Sequence, residues 1–317
     1  MSQMNAQIKE ILKYKYWRQN IRLNTELSTP GSIKPQLWDF LNLPDSLRGK
    51  SFLDVGANDG MFSFEAEKRG ASRVVASDLY KDSIDSMKNG WSMVGIRLLI
   101  NHFHSKVELH QSGIYNLTEL HESFDVVLVN DIINWLDDVE LAVKNLAEVT
   151  SGRLFLSDGF INDNKTSRKV KQEGPSLRYM YTMPYICDLL RKHGFTIKKI
   201  NPLNYQKVFL QDFIQTPVLK LEPGISVYEL PLSDSSHTKL DKAMEVKADG
   251  QLGDYFHVYK LGWFKKSDIH FRYNKASLYY RVANLTGMRS IYYAMLNYQY
   301  KKKENISAYQ IVAEKAS

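Results

Sequence analysis

Hydrophobic positions between residues 51 and 157 follow two spacings, short apolar runs and helical i, i+3, i+4 repeats. The runs predict strands and the repeats predict helices: strands at 51–56, 73–77, 106–110, 124–129 and 153–157, and helices at 60–69, 80–90 and 138–149. Strands that alternate with helices pair in parallel and are covered on both faces. We therefore expect an α/β fold with a Rossmann-like sheet.

The same pattern continues after the fifth strand. A helix is expected to begin at Pro184 and to end near Gly194, because proline favours a first helical turn and glycine favours a helix end. Two further strands are predicted at 195–200 and 205–213. They complete a seven-stranded sheet, so the core fold is expected to end near residue 215.

Both flanks of this core carry additional elements. Apolar residues at helical spacing predict an amphipathic N-terminal helix over 6–21, interpreted as a lid or a packing element. Alternating runs after residue 218 predict extra strands. The predicted domains are an N-terminal helical lid, a central domain and a C-terminal extension of strands followed by basic, aromatic-rich helices, at 1–45, 46–215 and 216–317.

Composition favours a folded cytoplasmic protein. The chain has 317 residues, of which 44% are hydrophobic, so it can bury a substantial core. Cys187 is the only cysteine, which excludes an intrachain disulfide. The longest apolar stretch, 91–103, is interrupted by Arg97 and Asn101 and is too short for a transmembrane helix. We expect neither a signal peptide nor a membrane span.

The most informative chemistry follows the first strand, where Asp54-Val-Gly56-Ala-Asn58-Asp-Gly60 opens into a helix. Glycine permits close approach of a ligand to the backbone, and amides at the start of a helix donate to polar ligand atoms. The G-x-x-x-G spacing differs from the G-x-G-x-x-G of dinucleotide folds, and no Gly-Lys-Ser/Thr follows. Asp78 ends the second strand 22 positions after Gly56, near the ~20-residue offset of a ribose-binding carboxylate.

These residues resemble motif I of the class I S-adenosylmethionine (SAM)-dependent methyltransferases. The resemblance implies that SAM is the cofactor, held by Asp54, Gly56, Asn58, Gly60 and Asp78. It further implies an adenine contact from Ser112-Gly113 and a cofactor contact from Asn130, which follow the third and fourth strands. A plain turn around Gly113 is the alternative.

Candidate acceptor-site residues lie at other strand ends, where ligands of open α/β sheets bind. Asp131 and Asp158 are candidate general bases, although an aspartate at such a position also caps helices or contacts SAM. Trp135 is a candidate substrate contact and equally a candidate core residue. The family resemblance implies that Arg178 and Tyr179 hold substrate or the carboxylate end of the cofactor, with a surface ion pair as the alternative.

Several segments are similar to one branch of this family. That branch contains the carboxymethyltransferase of the tRNA wobble uridine and methyltransferases of sugars and secondary metabolites. The similar segments include Thr29-Pro30-Gly31 and Met183-Pro184. Asn134-Trp135 stands where many relatives have Tyr-His, so a histidine base does not carry over and the wobble-uridine substrate is disfavoured.

Charge is concentrated near the C-terminus. Residues 265–303 hold nine Lys or Arg and one Asp, a local charge of 9 − 1 = +8, with eight Phe or Tyr interleaved. Such a segment binds RNA or an acidic membrane surface, or else packs its aromatics on the core with its cations in water. Four histidines between 102 and 121 lack a ligand spacing with a third donor, so no metal site is predicted.

The sequence therefore predicts a SAM-dependent methyltransferase that acts on a hydroxyl of a small molecule or sugar intermediate in a biosynthetic pathway. Two alternatives stay open. One is an RNA methyltransferase, with tRNA held by the basic segment, and the other is a non-catalytic binding module with this fold. The sequence makes no prediction of oligomeric state.

Overall fold

The computed structural model describes most of the chain. The described residues are 2–33, 37–79, 93–161, 169–172, 178–203, 217–232, 234–248, 250–252, 254–258, 261–273 and 306–316. The predicted helix at 80–90, the predicted strand at 205–213 and most of the basic segment 265–303 lie outside these residues.

The helices, in chain order, are α1 (Ser2–Lys13), α2 (Leu37–Phe40), α3 (Met61–Lys68), α4 (Val94–Phe103), α5 (Val139–Val149) and α6 (Met183–Lys192). Short 3-10 helices cover Ile114–Leu120, Ile133–Trp135 and Lys266–Asp268. The first eight strands are β1 (Ser51–Val55), β2 (Arg73–Ser77), β3 (Glu108–His110), β4 (Phe124–Asn130), β5 (Thr150–Ile161), β6 (Lys169–Gln172), β7 (Arg178–Tyr181) and β8 (Phe195–Pro202). The remaining strands are β9 (Pro217–Leu221), β10 (Ser226–Tyr228), β11 (His237–Lys239), β12 (Met244–Lys247), β13 (Gly250–Leu252), β14 (Tyr255–Val258), β15 (Gly262–Lys265), β16 (His270–Tyr273) and β17 (Ile306–Lys315).

A seven-stranded sheet of order β3-β2-β1-β4-β5-β17-β8 forms the centre of the fold. The pairs β2–β3, β1–β2, β1–β4 and β4–β5 are parallel. Strands β1, β2 and β4 are almost continuously apolar and buried, as expected when helices cover both faces of a sheet. The predicted α/β class and Rossmann-like seven-stranded sheet are confirmed.

The chain separates into two compact units. The first comprises Met1–Ser157, Leu190–Thr196 and Val312–Ser317, and the second comprises Asp158–Leu189 and Ile197–Ile311. In the second unit, β11-β10-β15-β14-β13 and β12-β9-β16 form two small sheets. Leu219, Phe256 and Phe264 are buried in the core cluster of these sheets. The strands expected after residue 218 are therefore present.

Three elements differ from the sequence prediction. The N-terminal helix stops at Lys13 and leaves the following residues extended, because their polar groups are used by the neighbouring loop, as described below. Helix α4 was not predicted, because it begins after Met93, which provides no side-chain cap and gives no helix-start signal in the sequence. Strand β5 continues to Ile161, so Asp158 lies inside it.

The strand between β5 and β8 comes from a distant part of the sequence. It is β17, Ile306–Lys315, whereas a hairpin partner at 205–213 was expected. Ile311 and Ala313 of β17 are fully buried, as suits an interior strand. Within the part of the chain that the structure describes, no helix is long and apolar enough to cross a membrane.

Candidate SAM-binding site

The ligand loop, residues 54–60, joins β1 to α3 and depends on its two glycines. Gly56 and Gly60 have φ values of 75° and 86°, a left-handed conformation that side chains disfavour. A Cβ atom on Gly56 would collide with the side chain of Ile132, and one on Gly60 would collide with Ile96. Both positions therefore require glycine, because the backbone is left-handed and a neighbouring side chain packs against each.

Asn58 stands at the centre of the ligand loop, also in the left-handed region with φ 57°. Its main-chain amide donates a hydrogen bond of 2.9 Å to Oδ2 of Asp78. Its side-chain Oδ1 is buried and has no hydrogen-bond partner among the described residues. A buried amide oxygen without a partner carries a desolvation cost that a donor group on a ligand would remove.

Asp78 follows β2 and is 4% exposed. Its Oδ1 accepts a hydrogen bond of 2.7 Å from the amide of Leu79, while its Oδ2 accepts the one from Asn58. The carboxylate is thus fixed in orientation beside the ligand loop.

Asp54 lies at the end of β1 and is buried. The Ser63 hydroxyl of α3 donates a 2.7 Å hydrogen bond to its Oδ2. Burial raises the pKa of Asp54 to about 7, the Ser63 hydrogen bond opposes this rise, and the negative charge of Asp78 adds to it. A cation bound nearby would favour the charged form of this carboxyl group.

Asp59 connects the ligand loop to the N-terminal strap, which we define as residues 14–33. The main-chain amides of Arg18 and Gln19 donate to Asp59 Oδ2 at 2.7 and 2.9 Å. Burial raises the pKa of Asp59 to about 6, and the two amide donors lower it. Asp59 was not singled out from the sequence, where it reads as a loop polar residue.

The side chain of Gln19 connects the N-terminal strap back to the ligand loop. Its Oε1 accepts a 2.8 Å hydrogen bond from the amide of Met61, and its Nε2 donates to the carbonyl oxygen of Ala57 at 3.4 Å. Sequence analysis missed this residue because it falls within the predicted N-terminal helix. A glutamine between Arg18 and Asn20 carries no signal in the sequence of its partner 42 positions away.

The segment Thr29-Pro30-Gly31 packs against the backbone of Gln19. The Thr29 hydroxyl donates to the Gln19 carbonyl at 2.6 Å and accepts from the Ile21 amide at 2.8 Å. Gly31 packs so closely on the Gln19 backbone that a Cβ atom would overlap it. The segment noted for its family resemblance therefore belongs to the strap that contacts the ligand loop.

Ser112 and Gly113 follow β3. Ser112 is buried, and its carbonyl accepts a 2.6 Å hydrogen bond from the Ser77 hydroxyl at the end of β2. The side chain of Leu79 covers Gly113 so that a Cβ atom there would strike it, yet Leu79 is 62% exposed. An exposed leucine and a glycine surface beside Asp78 form an apolar face at the carboxyl edge of the sheet.

Asn130 and Asp131 follow β4. Asn130 is half-buried and in register with Ser157 of β5. Asp131 has an exposed side chain and a left-handed backbone with φ 57°, and its amide donates to the Ser157 carbonyl at 2.9 Å. Strained non-glycine residues concentrate at functional sites.

Trp135 lies in a 3-10 helix after β4 and is half-buried. A nearby tyrosine, Tyr115, secures the end of this segment. Its hydroxyl donates to Asp137 at 2.8 Å and accepts from the amide of Asp138 at 3.1 Å. Burial raises the pKa of Tyr115 to about 12, so it is a neutral phenol at physiological pH.

The other predicted site residues belong to the second unit. Asp158 is buried within β5, and its Oδ1 accepts a 2.7 Å hydrogen bond from the amide of Gly159. Tyr179 is half-buried in β7, opposite Lys171 of β6. Arg178 pairs with Gln172 in the same hairpin. The structure describes these residues separately from the ligand loop, and their roles stay predictions.

Among the residues with described positions, no group of three or more His, Cys, Asp or Glu side chains forms a metal-binding cluster. The site is built from backbone groups, carboxylates and amides. Its polar groups converge on the carboxyl ends of β1, β2 and β4, the edge at which open α/β sheets bind ligands.

Comparison with known proteins assigns the family. The model of a methyltransferase domain matches residues 32–200, more than half of the chain. The ubiquinone biosynthesis O-methyltransferase of Coxiella burnetii (strain Dugway 5J108-111) is 28% identical over 165 residues, which are 50% of this chain. The chain spans 61% of the length of that relative.

Two solved structures illustrate the similarity of this chain to known proteins. A putative SAM-dependent methyltransferase from Listeria monocytogenes shares 18% identity, with a TM-score of 0.38 over 51% of this chain and 85% of that chain. The N-terminal domain of EvdMO1, solved with S-adenosylhomocysteine (SAH) bound, shares 14% identity, with a TM-score of 0.48 over 64% of this chain and 90% of that chain. With the methyltransferase-domain match over residues 32–200 and the sheet described above, the chain belongs to the class I SAM-dependent methyltransferase family.

Proposed function

We propose that this protein transfers a methyl group from SAM to a hydroxyl of a small molecule or sugar intermediate in a biosynthetic pathway. The observation that carries the proposal is the ligand loop, in which two obligatory glycines surround the buried, unpartnered Oδ1 of Asn58. The family match and the named O-methyltransferase relative support the same reaction.

The residues present fit SAM chemically. The left-handed backbone at Gly56 and Gly60 shapes the loop that would hold the methionine end of the cofactor, and Asn58 Oδ1 offers an acceptor for its ammonium group. Asp78 would accept the ribose hydroxyls, with Asn130 and the Ser112-Gly113 segment as further contacts. Asp54 would provide negative charge near a cofactor that is positively charged at sulfur.

When bound, SAM supplies an electrophilic methyl group on a sulfonium. The protein must then place the acceptor oxygen in line with that group, since positioning supplies much of the acceleration of such displacements. Asp131 is our first candidate for the general base, because its exposed carboxylate stands at the carboxyl end of β4. Asp158 is the second candidate, with Trp135, Arg178 and Tyr179 as candidate substrate contacts.

An RNA substrate is the second candidate function. The observation that favours it is the charge of +8 (nine Lys or Arg minus one Asp) in residues 265–303, with interleaved aromatics. Phosphate binding by such a segment would depend steeply on salt concentration. A small-molecule methyltransferase does not need to bind phosphates, so its acceptor binding is not expected to depend steeply on salt concentration.

The test begins with isothermal titration of SAH into the purified protein. Binding with micromolar or tighter affinity is expected. Absence of binding would favour the alternative that the protein is a non-catalytic binding module. The same preparation is then incubated with isotopically labelled SAM and either pooled hydroxylated metabolites or bulk tRNA at two salt concentrations. Label in the metabolite pool supports the proposal, and label in tRNA alone supports the second candidate.

A further inference from the structure

One side chain of the N-terminal strap, that of Gln19, spans the ligand loop. The Gln19 carboxamide contacts Ala57 near the start of the loop and Met61 just after its end. Gln19 is 5% exposed, so these hydrogen bonds are shielded from water. We propose that Gln19 is a positioning residue for the cofactor, which fixes the curvature of the ligand loop by bridging Ala57 and Met61.

The bridge spans the part of the ligand loop that has the least favourable backbone conformation. Asn58 and Gly60, between the two bridged residues, both have positive φ, and such a turn has few intrinsic restraints. Met61 is the first residue of α3, where a helix amide lacks an internal partner. Gln19 Oε1 supplies that partner, and no side-chain cap from the preceding Gly60 is available.

The strap is itself built to present Gln19 in one orientation. Its amide is fixed by the Asp59 carboxylate and its carbonyl by the Thr29 hydroxyl. Gly31 allows the returning chain to lie against the Gln19 backbone. The contacts with Asp59, Thr29 and Gly31 all fix the backbone of Gln19. Together they direct its carboxamide toward the ligand loop.

This inference rests on the proposed function, because it assigns the loop to SAM. The test compares the parent with Gln19→Met, which keeps the side-chain length and removes both hydrogen bonds, and with Gln7→Ala as a control on an exposed glutamine of α1. Two quantities are measured: hydrogen exchange of peptides that cover residues 56–62 without ligand, and the SAH dissociation constant.

Gln19→Met is expected to speed exchange in the loop and to weaken SAH binding about tenfold, as loss of buried hydrogen bonds implies. Gln7→Ala is expected to match the parent in both. Gln19→Glu keeps the acceptor for the Met61 amide, so its loop exchange should be slower than that of Gln19→Met. If Gln19→Met does not fold, Gln19→Ala replaces it with the same expectations.

Unchanged loop exchange in Gln19→Met would overturn the bridging role. Faster exchange with unchanged SAH affinity would show a structural bridge without a role in positioning the cofactor, and would overturn the proposal as stated. If the parent itself does not bind SAH, the assignment of the loop to SAM fails, while the exchange measurement still decides whether Gln19 holds the loop.

Discussion

The main-chain amide of Asn58 and the carboxylate of Asp78 are joined by a 2.9 Å hydrogen bond that links the ends of two neighbouring parallel strands. A single carboxylate thus orders the ligand loop and is also the proposed contact of the ribose. This double use predicts that Asp78 matters both with and without the cofactor.

Replacement of Asp78 by alanine is expected to weaken SAH binding by about 1.5–3 kcal/mol, the contribution of hydrogen bonds to a charged group. It should also lower the free energy of unfolding, because the buried Asn58 amide loses its acceptor. Calorimetric titration measures the first effect and urea unfolding measures the second. Asp241→Ala, at an exposed position, is the control, and equal SAH affinity in Asp78→Ala and the parent would refute the ribose assignment.

The two left-handed glycines Gly56 and Gly49 offer a matched pair. Gly49 has φ 72° with open space where a Cβ would be, whereas a Cβ on Gly56, at φ 75°, would meet Ile132. Gly49→Ala should cost about 1 kcal/mol of unfolding free energy, for backbone strain alone. Gly56→Ala should cost clearly more and should reduce SAH binding. Equal losses in thermal unfolding would show that contact with Ile132 does not restrict position 56.

Asp54 predicts a pH dependence of stability. Its folded pKa of about 7 lies above its ordinary value near 4, so between these values the folded state holds a proton that the unfolded state has released. Stability from this group therefore falls as the pH rises toward 7. Asp54→Asn should remove this loss, on the order of 2 kcal/mol between pH 5 and pH 8.

The measurement is urea unfolding of Asp54→Asn and the parent at pH 5 and pH 8. Asp59 titrates in both proteins and cancels in the comparison, provided the carboxamide introduced at position 54 still accepts from Ser63. Parallel stability profiles for the two proteins would contradict the raised pKa of Asp54.

Asp131 combines a candidate catalytic carboxylate with a left-handed backbone. Glycine relieves that strain and alanine does not, so Asp131→Gly should be more stable to unfolding than Asp131→Ala by about 1 kcal/mol. Neither variant should change SAH affinity if the carboxylate serves the acceptor alone. Once an acceptor is identified, loss of a general base should lower its methylation rate about 10²- to 10⁴-fold. Full activity in both variants would transfer the proposed role to Asp158.

The sequence was sufficient for the features that rest on local pattern. The parallel strands, the ligand loop and Asp78 are indicated by apolar runs, glycine spacing and a carboxylate at a strand end. Helix α4 was missed because Met93 at its start is not a capping residue, so the sequence carries no signal of where this helix begins. Gln19 and Asp59 were missed for another reason: each acts through a partner about 40 residues away, and a hydrogen bond of that kind leaves no periodic trace.

Strand β17 carries a consequence for synthesis of the protein. Its place between β5 and β8 cannot be filled until residues 306–315 have left the ribosome, long after the residues of both neighbouring strands. During that interval the edges of β5 and β8 expose unpaired backbone groups, which are templates for aggregation. Expression at low temperature or with chaperones is therefore expected to raise the soluble yield, and truncation before residue 306 is expected to abolish it.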